Sequence, residues 1–123
     1  MTDPDLALLR ETSEVRIETS RGDGAPLHRT IIWVVVDDAG RILVRTYLGP
    51  QSRWYREALA NPRVRLLAGD RALELVAEQA DDPDRIEACS EGLRAKYRRG
   101  ASLDAMLRDE VLGTTLELRP ADE

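Results

Sequence analysis

Two periods alternate along this chain, one of two residues and one close to three and a half. "EVRIET" at 14–19 sets Val15, Ile17 and Thr19 against Arg16 and Glu18, the alternation of a half-buried strand. "LHRTIIWVVV" at 27–36 is β-branched and apolar on both faces in its second half, which predicts a strand covered on both sides and placed centrally in a sheet. "DDAG" closes a hairpin, and "RILVRTYL" at 41–48 returns with Ile42, Val44, Thr46 and Leu48 on one face and Leu43, Arg45 and Tyr47 on the other. "RVRLLAG" and "RALELVAEQA" predict a second hairpin around Gly69 and Asp70, and "TTLELRP" a last strand with Leu116 and Leu118 inward.

The longer period marks the helices. "DPDLALLRE" reads as a short helix with Asp3 as N-cap, Pro4 at the first helical position and Leu6, Ala7 and Leu9 on one face. A second helix is predicted from Ser52 until Asn61-Pro62 stops it, with Trp54, Tyr55, Ala58 and Leu59 as its apolar face. "DPDRIEACSEGLRAKYRRG" carries Ile86, Cys89, Leu93 and Tyr97 at helical spacing, an amphipathic helix lying on the sheet. "SLDAMLRDEV" adds a helical piece starting at Ser102. Six strands joined mostly by hairpins, with three or four short flanking helices, predict a mainly β, α+β fold: a six-stranded antiparallel barrel forming one domain over 1–123.

Composition narrows the function classes. The longest apolar run, "IIWVVV", is far shorter than the roughly 20 residues of a membrane span, and the acidic N-terminal stretch lacks a basic, then apolar leader. With a single cysteine there is no internal disulfide, so the expected compartment is the cytoplasm. A net charge of −5, from 18 basic and 23 acidic side chains, argues against nucleic acid as a partner. Lys96 is the only lysine, so any anion site must be built from arginine forks.

Conventional catalytic chemistry is absent from the pattern. Neither GxGxxG nor GxxxxGK[ST] occurs, and one His with one Cys cannot supply the usual four zinc ligands. Cys89 sits on the apolar stripe of its helix and reads as a buried, inert thiol. His28 reads as a solvated or hydrogen-bonded surface residue, and Lys96 as ordinary surface. Asp37-Asp38 reads as a turn and Asp81-Asp82 as a helix boundary.

What remains is a concentration of Arg, Thr and Ser around "YLGPQSRWYREALANP" at 47–62. Arg45 and Thr46 end one strand, Ser52 and Arg53 open the following helix, and a hairpin would set Arg29 and Thr30 beside the first pair. The unpaired N–H groups of a helix start attract phosphate, and Arg53 could reach the same anion. The same residues also suit a plain helix cap, with Trp54 and Tyr55 as core, and spacing does not separate the two.

"ILVRTYLGPQSRWYREALANPRVRLL" resembles the FMN-binding split β-barrel superfamily typified by pyridoxamine 5′-phosphate oxidase, where a Tyr/Thr strand end, a short loop, Ser-Arg at a helix start and "NP" follow in that order. More closely, "EVRIETSRGDG", "RTIIWVVV", "VRTYLGPQSRWYR", "RAKYRRG" and "GTTLELRP" resemble a small uncharacterised bacterial family within that superfamily, over nearly the whole chain. The resemblance implies a six-stranded antiparallel split β-barrel, a homodimer with the cofactor at its interface, and FMN contacts from Arg29, Thr30, Arg45 and Thr46. It implies phosphate binding by Ser52 and Arg53, with Trp54 lining the pocket. The oxidases have Lys where this chain has Trp54, which implies weaker FMN binding or another cofactor such as a deazaflavin coenzyme. Their C-terminal substrate segment has no counterpart here, so pyridoxamine phosphate oxidation is not expected. The resulting expectation is an FMN- or deazaflavin-dependent oxidoreductase. Its rival is a cofactor-free dimeric binding or structural module.

Overall fold

The structure, a computed structural model, describes residues 2–121. Helix α1 (Asp3–Glu11) leads into β1 (Glu14–Thr19), β2 (His28–Trp33), β3 (Val35–Val36) and β4 (Ile42–Val44). Helix α2 (Arg53–Ala60) precedes the hairpin of β5 (Arg63–Ala68) and β6 (Arg71–Gln79). Three helices follow, α3 (Pro83–Lys96), α4 (Ala101–Met106) and α5 (Asp109–Leu112), and β7 (Leu116–Pro120) completes the sheet. The N-cap of α1 is Thr2 rather than Asp3: its hydroxyl accepts from the Asp5 N–H while the Asp5 carboxylate reaches back to the Thr2 N–H, a reciprocal capping box. Pro4 therefore falls one position deeper than expected.

All strand pairs are antiparallel, in the order β2-β1-β5-β6-β7-β4-β3. The strand count is seven, not six, because the chain breaks pairing at Val34. The segment at 27–36, expected at the centre, instead supplies both edges of the sheet. As β2 and β3 are consecutive in the chain, the sheet must curl until its two edges meet, and a half-open barrel results. Apolar character on both faces comes from this closure: Val34 is fully buried and Val35 nearly so, while Ile31 on the β2 edge is 63% exposed.

Two apolar cores lie on opposite sides of the sheet. The barrel interior holds Ile17, Leu66, Leu75, Leu116 and Leu118, with Leu9 of α1 and Trp54, Tyr55 and Ala58 of α2 closing it. Fully burying each such side chain is worth about 1.5–3 kcal/mol. The second core packs Val35 and Leu43 under Cys89 and Leu93 of α3 and Leu103 and Met106 of α4. Gly92 makes this packing possible, since a Cβ there would lie 2.2 Å from the Val35 Cγ1. The predicted helix starting at Ser102 begins at Ala101 and divides into α4 and α5.

Candidate functional site

The alternation on the strand ending at Val44 decides where Arg45 goes. Leu43 faces the second core, so Arg45, two residues on, points the same way and is driven under α3 and α4, where it is 1% exposed. Its Nε donates to Thr115 Oγ1 at 2.9 Å, and its two terminal nitrogens donate to Ser90 Oγ, the Met106 carbonyl and the Ile86 carbonyl, each at 3.0 Å. Every acceptor is neutral, and burial holds the guanidinium below its ordinary pKa. Arg45 thus ties β4 to β7, α3 and α4.

Thr46 faces the other way. Its Oγ1 accepts from the Leu48 N–H at 3.2 Å, and the Gly49 N–H donates to the Thr46 carbonyl in a turn that Gly49 permits through its φ of +86°. That turn delivers Ser52 to the start of α2. Ser52 occupies the N-cap position, yet its side chain makes no capping bond, and its buried Oγ has no partner. Arg53 is exposed on the first turn.

Between β2, the Thr46 turn, α2 and α4 lies a cleft of about 490 Å³. Its walls include both tryptophans, Ile31, Ile32, Leu48 and Met106, with the hydroxyl residues Thr30, Thr46 and Ser102, one carboxylate, Glu14, and one guanidinium, that of the buried Arg45. Trp33 is braced by Tyr97, whose ring stacks on it at 3.9 Å and 5°. Trp54 is 5% exposed, so it serves the core and the cleft wall at once. Thr30, also in the wall, carries a buried Oγ1 with no hydrogen-bond partner. Buried hydroxyls are nearly always paired, so Thr30 and Ser52 mark an unmet demand of the kind a polar ligand satisfies. Ser52 and Arg53 are not among the residues that line this cleft.

Thr30, Arg45, Thr46 and Trp54 therefore border one cleft, although not through the hairpin expected from the sequence. That hairpin pairs only Val35–Val36 with Ile42–Leu43, and β2 pairs with β1 instead. Arg29 lies on the outer face, its Nε donating at 2.9 Å to Glu18, which also accepts from Arg65 Nε at 2.8 Å. The two arginines hold the Glu18 carboxyl below the usual carboxylate range.

Several polar placements escaped the sequence pattern. Helix α2 buries Trp54, Tyr55 and Ala58 as expected, but it also buries Glu57 at 4% exposure and leaves Leu59 out at 44%. Thr19 donates to Glu57 Oε1 at 2.8 Å, and His28 Nδ1 lies 2.9 Å from Oε2. Lys96, read as ordinary surface, is half-buried and donates to the carbonyls of Leu9 and Val34, both at 2.8 Å, and burial lowers its pKa to about 8. Cys89 is buried as expected, its thiol pushed up to about 11 by burial. Asp37 turns the hairpin by accepting from the Ala39 and Arg41 N–H groups, and Asp82 caps α3 by accepting from the Arg85 N–H. A larger, more open cleft of about 660 Å³ between α1, the β3–β4 turn and α3 is walled by Arg41, Asp37 and other charged groups. Among the described residues no group of three or more His, Cys, Asp or Glu could hold a metal ion, and no helix is long and apolar enough to cross a membrane.

A sequence profile for the family described as "Uncharacterized protein conserved in bacteria (DUF2255)" matches residues 5–118. The chain belongs to DUF2255. Solved structures place the DUF2255 chain among split barrels. A pyridoxamine 5′-phosphate oxidase-like protein from Listeria innocua superposes with a TM-score of 0.69 at 16% identity, over 98% of this chain and 93% of its own. A NimC/NimA family protein from Clostridium acetobutylicum gives 0.67 at 16%, over 94% and 77%. An F420-H2 dependent reductase gives 0.63 at 17%, over 87% and 94%. At these identities the likeness is one of fold. No curated protein matches this DUF2255 sequence.

Proposed function

We propose that this protein is a cytoplasmic, homodimeric split barrel that holds a flavin-type cofactor in the 490 Å³ cleft and acts as an oxidoreductase. FMN is the first candidate and a deazaflavin coenzyme the second. The observation that carries the reading is the Thr30 hydroxyl, buried without a partner in the wall of a cleft lined by both tryptophans. The barrel it shares with a pyridoxamine 5′-phosphate oxidase-like protein and an F420-H2 dependent reductase supports it.

Thr30 and Thr46 would meet the polar edge of the ring system, and Trp54 its face. Ser52 and Arg53 would hold the phosphate at the α2 N-terminus, where each charge-assisted hydrogen bond is worth roughly 1.5–3 kcal/mol. Arg45 acts through position, fixing the strand end from which Thr46 projects, and Arg29 acts through Glu18 to hold the β2 edge. The cofactor, when bound, supplies the electron chemistry, and the protein supplies orientation and exclusion of water. Ile31, Tyr47 and Leu48 line the cleft and are more than half exposed, an apolar rim that a second copy would cover.

Titration with FMN, FAD and the deazaflavin coenzyme, followed by tryptophan fluorescence, tests the reading. Both tryptophans lie in the cleft wall, so saturable quenching is expected with one of the three, weakened about tenfold or more in Arg53→Ala. A second reading follows from Arg45, the arginine in the cleft wall, whose guanidinium is fully engaged by the protein, and from Arg29, which lies outside the wall and pairs with Glu18: a cofactor-free dimeric module. Absence of quenching by all three compounds would select it.

A further inference from the structure

The 490 Å³ cleft draws its walls from both faces of the sheet, and strand alternation assigns the residues to one face or the other. Ile32 and Trp54 belong to the barrel core, and Thr30 and Thr46 lie on that side, two residues from Ile32 and from Val44. On the opposite side Trp33 packs against the second core. Glu14, its antiparallel partner on β1, shares that face because Val15 and Ile17 take the interior. Arg45 and Met106 also lie on this second side. The cleft can run from one side to the other because β2 pairs only with β1 and is an edge strand. It therefore has two halves, an inner one around Thr30, Thr46 and Trp54 and an outer one around Glu14 and Trp33.

The outer half carries a chemistry of its own. Tyr97 stacks on one face of Trp33 at 3.9 Å and 5°, so what the indole offers the cleft is its other face and its edge. The Tyr97 hydroxyl accepts from the Val34 N–H at 3.1 Å and donates to the Ser13 carbonyl, which fixes the stacked pair in place. Apart from Met106, the α4 residues in the wall are small: Ala101, Ser102 and Ala105. Charge in the wall comes from Glu14 and Arg45 alone. Arg45 spends its donors on Thr115, Ser90 and the carbonyls of Met106 and Ile86. Glu14 is exposed, and among the described residues no basic side chain forms an ion pair with it. Arg16 shares its face of β1 but is not in the wall. A carboxylate beside an indole is a pairing that recognises cations. The ring face and the ionised carboxylate both attract positive charge, and the carboxylate accepts N–H donors while offering none.

We infer that the outer half is the substrate seat and that it takes a planar aromatic cation, a ring bearing a positively charged N–H group, with Trp33 as its platform and Glu14 as the acceptor that selects its charge. The inference rests on the reading of the inner half as the seat of a flavin-type ring. The two halves are continuous, so a ring held on Trp33 borders the cofactor seat. Glu14 repels a carboxylate from the position where it accepts an amidinium, and specificity is the difference between the two. Its role is to bind and select, and it exchanges no proton or electron with the substrate.

The chain has two tryptophans, one in each half, so their indole N–H resonances report the halves separately, with Trp33→Phe assigning the pair. Benzamidine, benzamide and benzoate are matched planar probes that differ in charge. Benzamidine should shift the Trp33 resonance saturably, benzamide more weakly, and benzoate not at all. Glu14→Gln, a change at an exposed position, should bring benzamidine down to the level of benzamide, a weakening of about threefold or more. FMN or the deazaflavin coenzyme should shift the Trp54 resonance, and benzamidine should still bind the loaded protein. Benzoate binding as tightly as benzamidine overturns the proposal, as does benzamidine affinity that ignores Glu14→Gln. Displacement of benzamidine by saturating cofactor also overturns it, since the halves would then be one site. If no cofactor binds while benzamidine still reaches Trp33 through Glu14, the cofactor reading falls alone, and the outer half stands as a site for planar cations.

Discussion

The Thr46 strand end separates two polar regions that were built differently. On one side, Arg45 is buried and makes four hydrogen bonds, all to neutral acceptors supplied by Thr115 just before β7, by α3 and by α4. On the other side, Thr30 and Ser52 present buried hydroxyls that bond to nothing. What differs is whether the protein itself completes the hydrogen bonding. A completed network rigidifies and locks elements together, while an incomplete one is stable only because a hydroxyl is a mild burden and a ligand can relieve it. The contrast teaches that burial alone does not identify a binding residue. Arg45 has the side chain most suited to an anion and borders the cleft, yet its donors are already committed to the protein.

The contrast is broken most severely by Arg45→Ala. It strips four acceptors of their donor at once, and a loss of about 3–5 kcal/mol in urea unfolding is expected, with little recovered by Arg45→Lys, whose ammonium cannot span the same fork of acceptors. A loss under about 1 kcal/mol would mean that the guanidinium is not the tie described here.

Lys96 stands between the two extremes, with two carbonyl acceptors satisfied and one N–H left over, and its effect should depend on pH. Burial lowers its pKa to about 8 in the folded protein, against an ordinary 10.5 when unfolded. Between these values the unfolded chain binds more protons, so stability rises with pH across the window. Measured as the difference between wild type and Lys96→Met, which cancels the other titrating groups, the wild type should gain on the order of 1 kcal/mol from pH 7.5 to 10, allowing for partial exposure. A difference that stays flat, or runs the opposite way, would show that Lys96 is not desolvated.

On the open side the effects should be smaller and of reversed sign. Thr30→Val removes an unpartnered hydroxyl while keeping the shape, so stability should be unchanged or higher by up to about 1 kcal/mol, whereas cofactor quenching should weaken. A clear loss of stability would reveal a partner for Oγ1. Ser52→Ala should be the mildest. Removal of a working N-cap typically costs ~1 kcal/mol, but Ser52 makes no capping bond, so a change within about 0.5 kcal/mol is expected, again with weaker cofactor binding. Cofactor affinity that ignores both substitutions would return these hydroxyls to mere packing.

The strands, the α2 and α3 helices and the turns were legible because each rests on a local signal. Alternation of Val15, Ile17 and Thr19, Asn61-Pro62 after α2, and Asp82 before Pro83 each act within a few residues. The family resemblance rested on the same short segments and led to the barrel. The α2 face was misread where the core demanded something other than apolarity. Glu57 is inside because Thr19 and His28 await it, and those partners lie 38 and 29 residues away.

Which side chains would be functional was settled at a longer range still. The sequence by itself determined which residue types gather near 45–54, that a helix starts at Ser52 and Arg53, and that strand alternation separates Arg45 from Thr46. Tertiary structure decided that α3 and α4 cover the Arg45 face while the Thr46 face opens onto a cleft, and that β2 pairs with β1, turning Arg29 away and Thr30 in. Alternation along a strand is a property of its own backbone and can be read from two or three residues. Which face is covered depends on elements forty or more residues distant, whose packing no local pattern records.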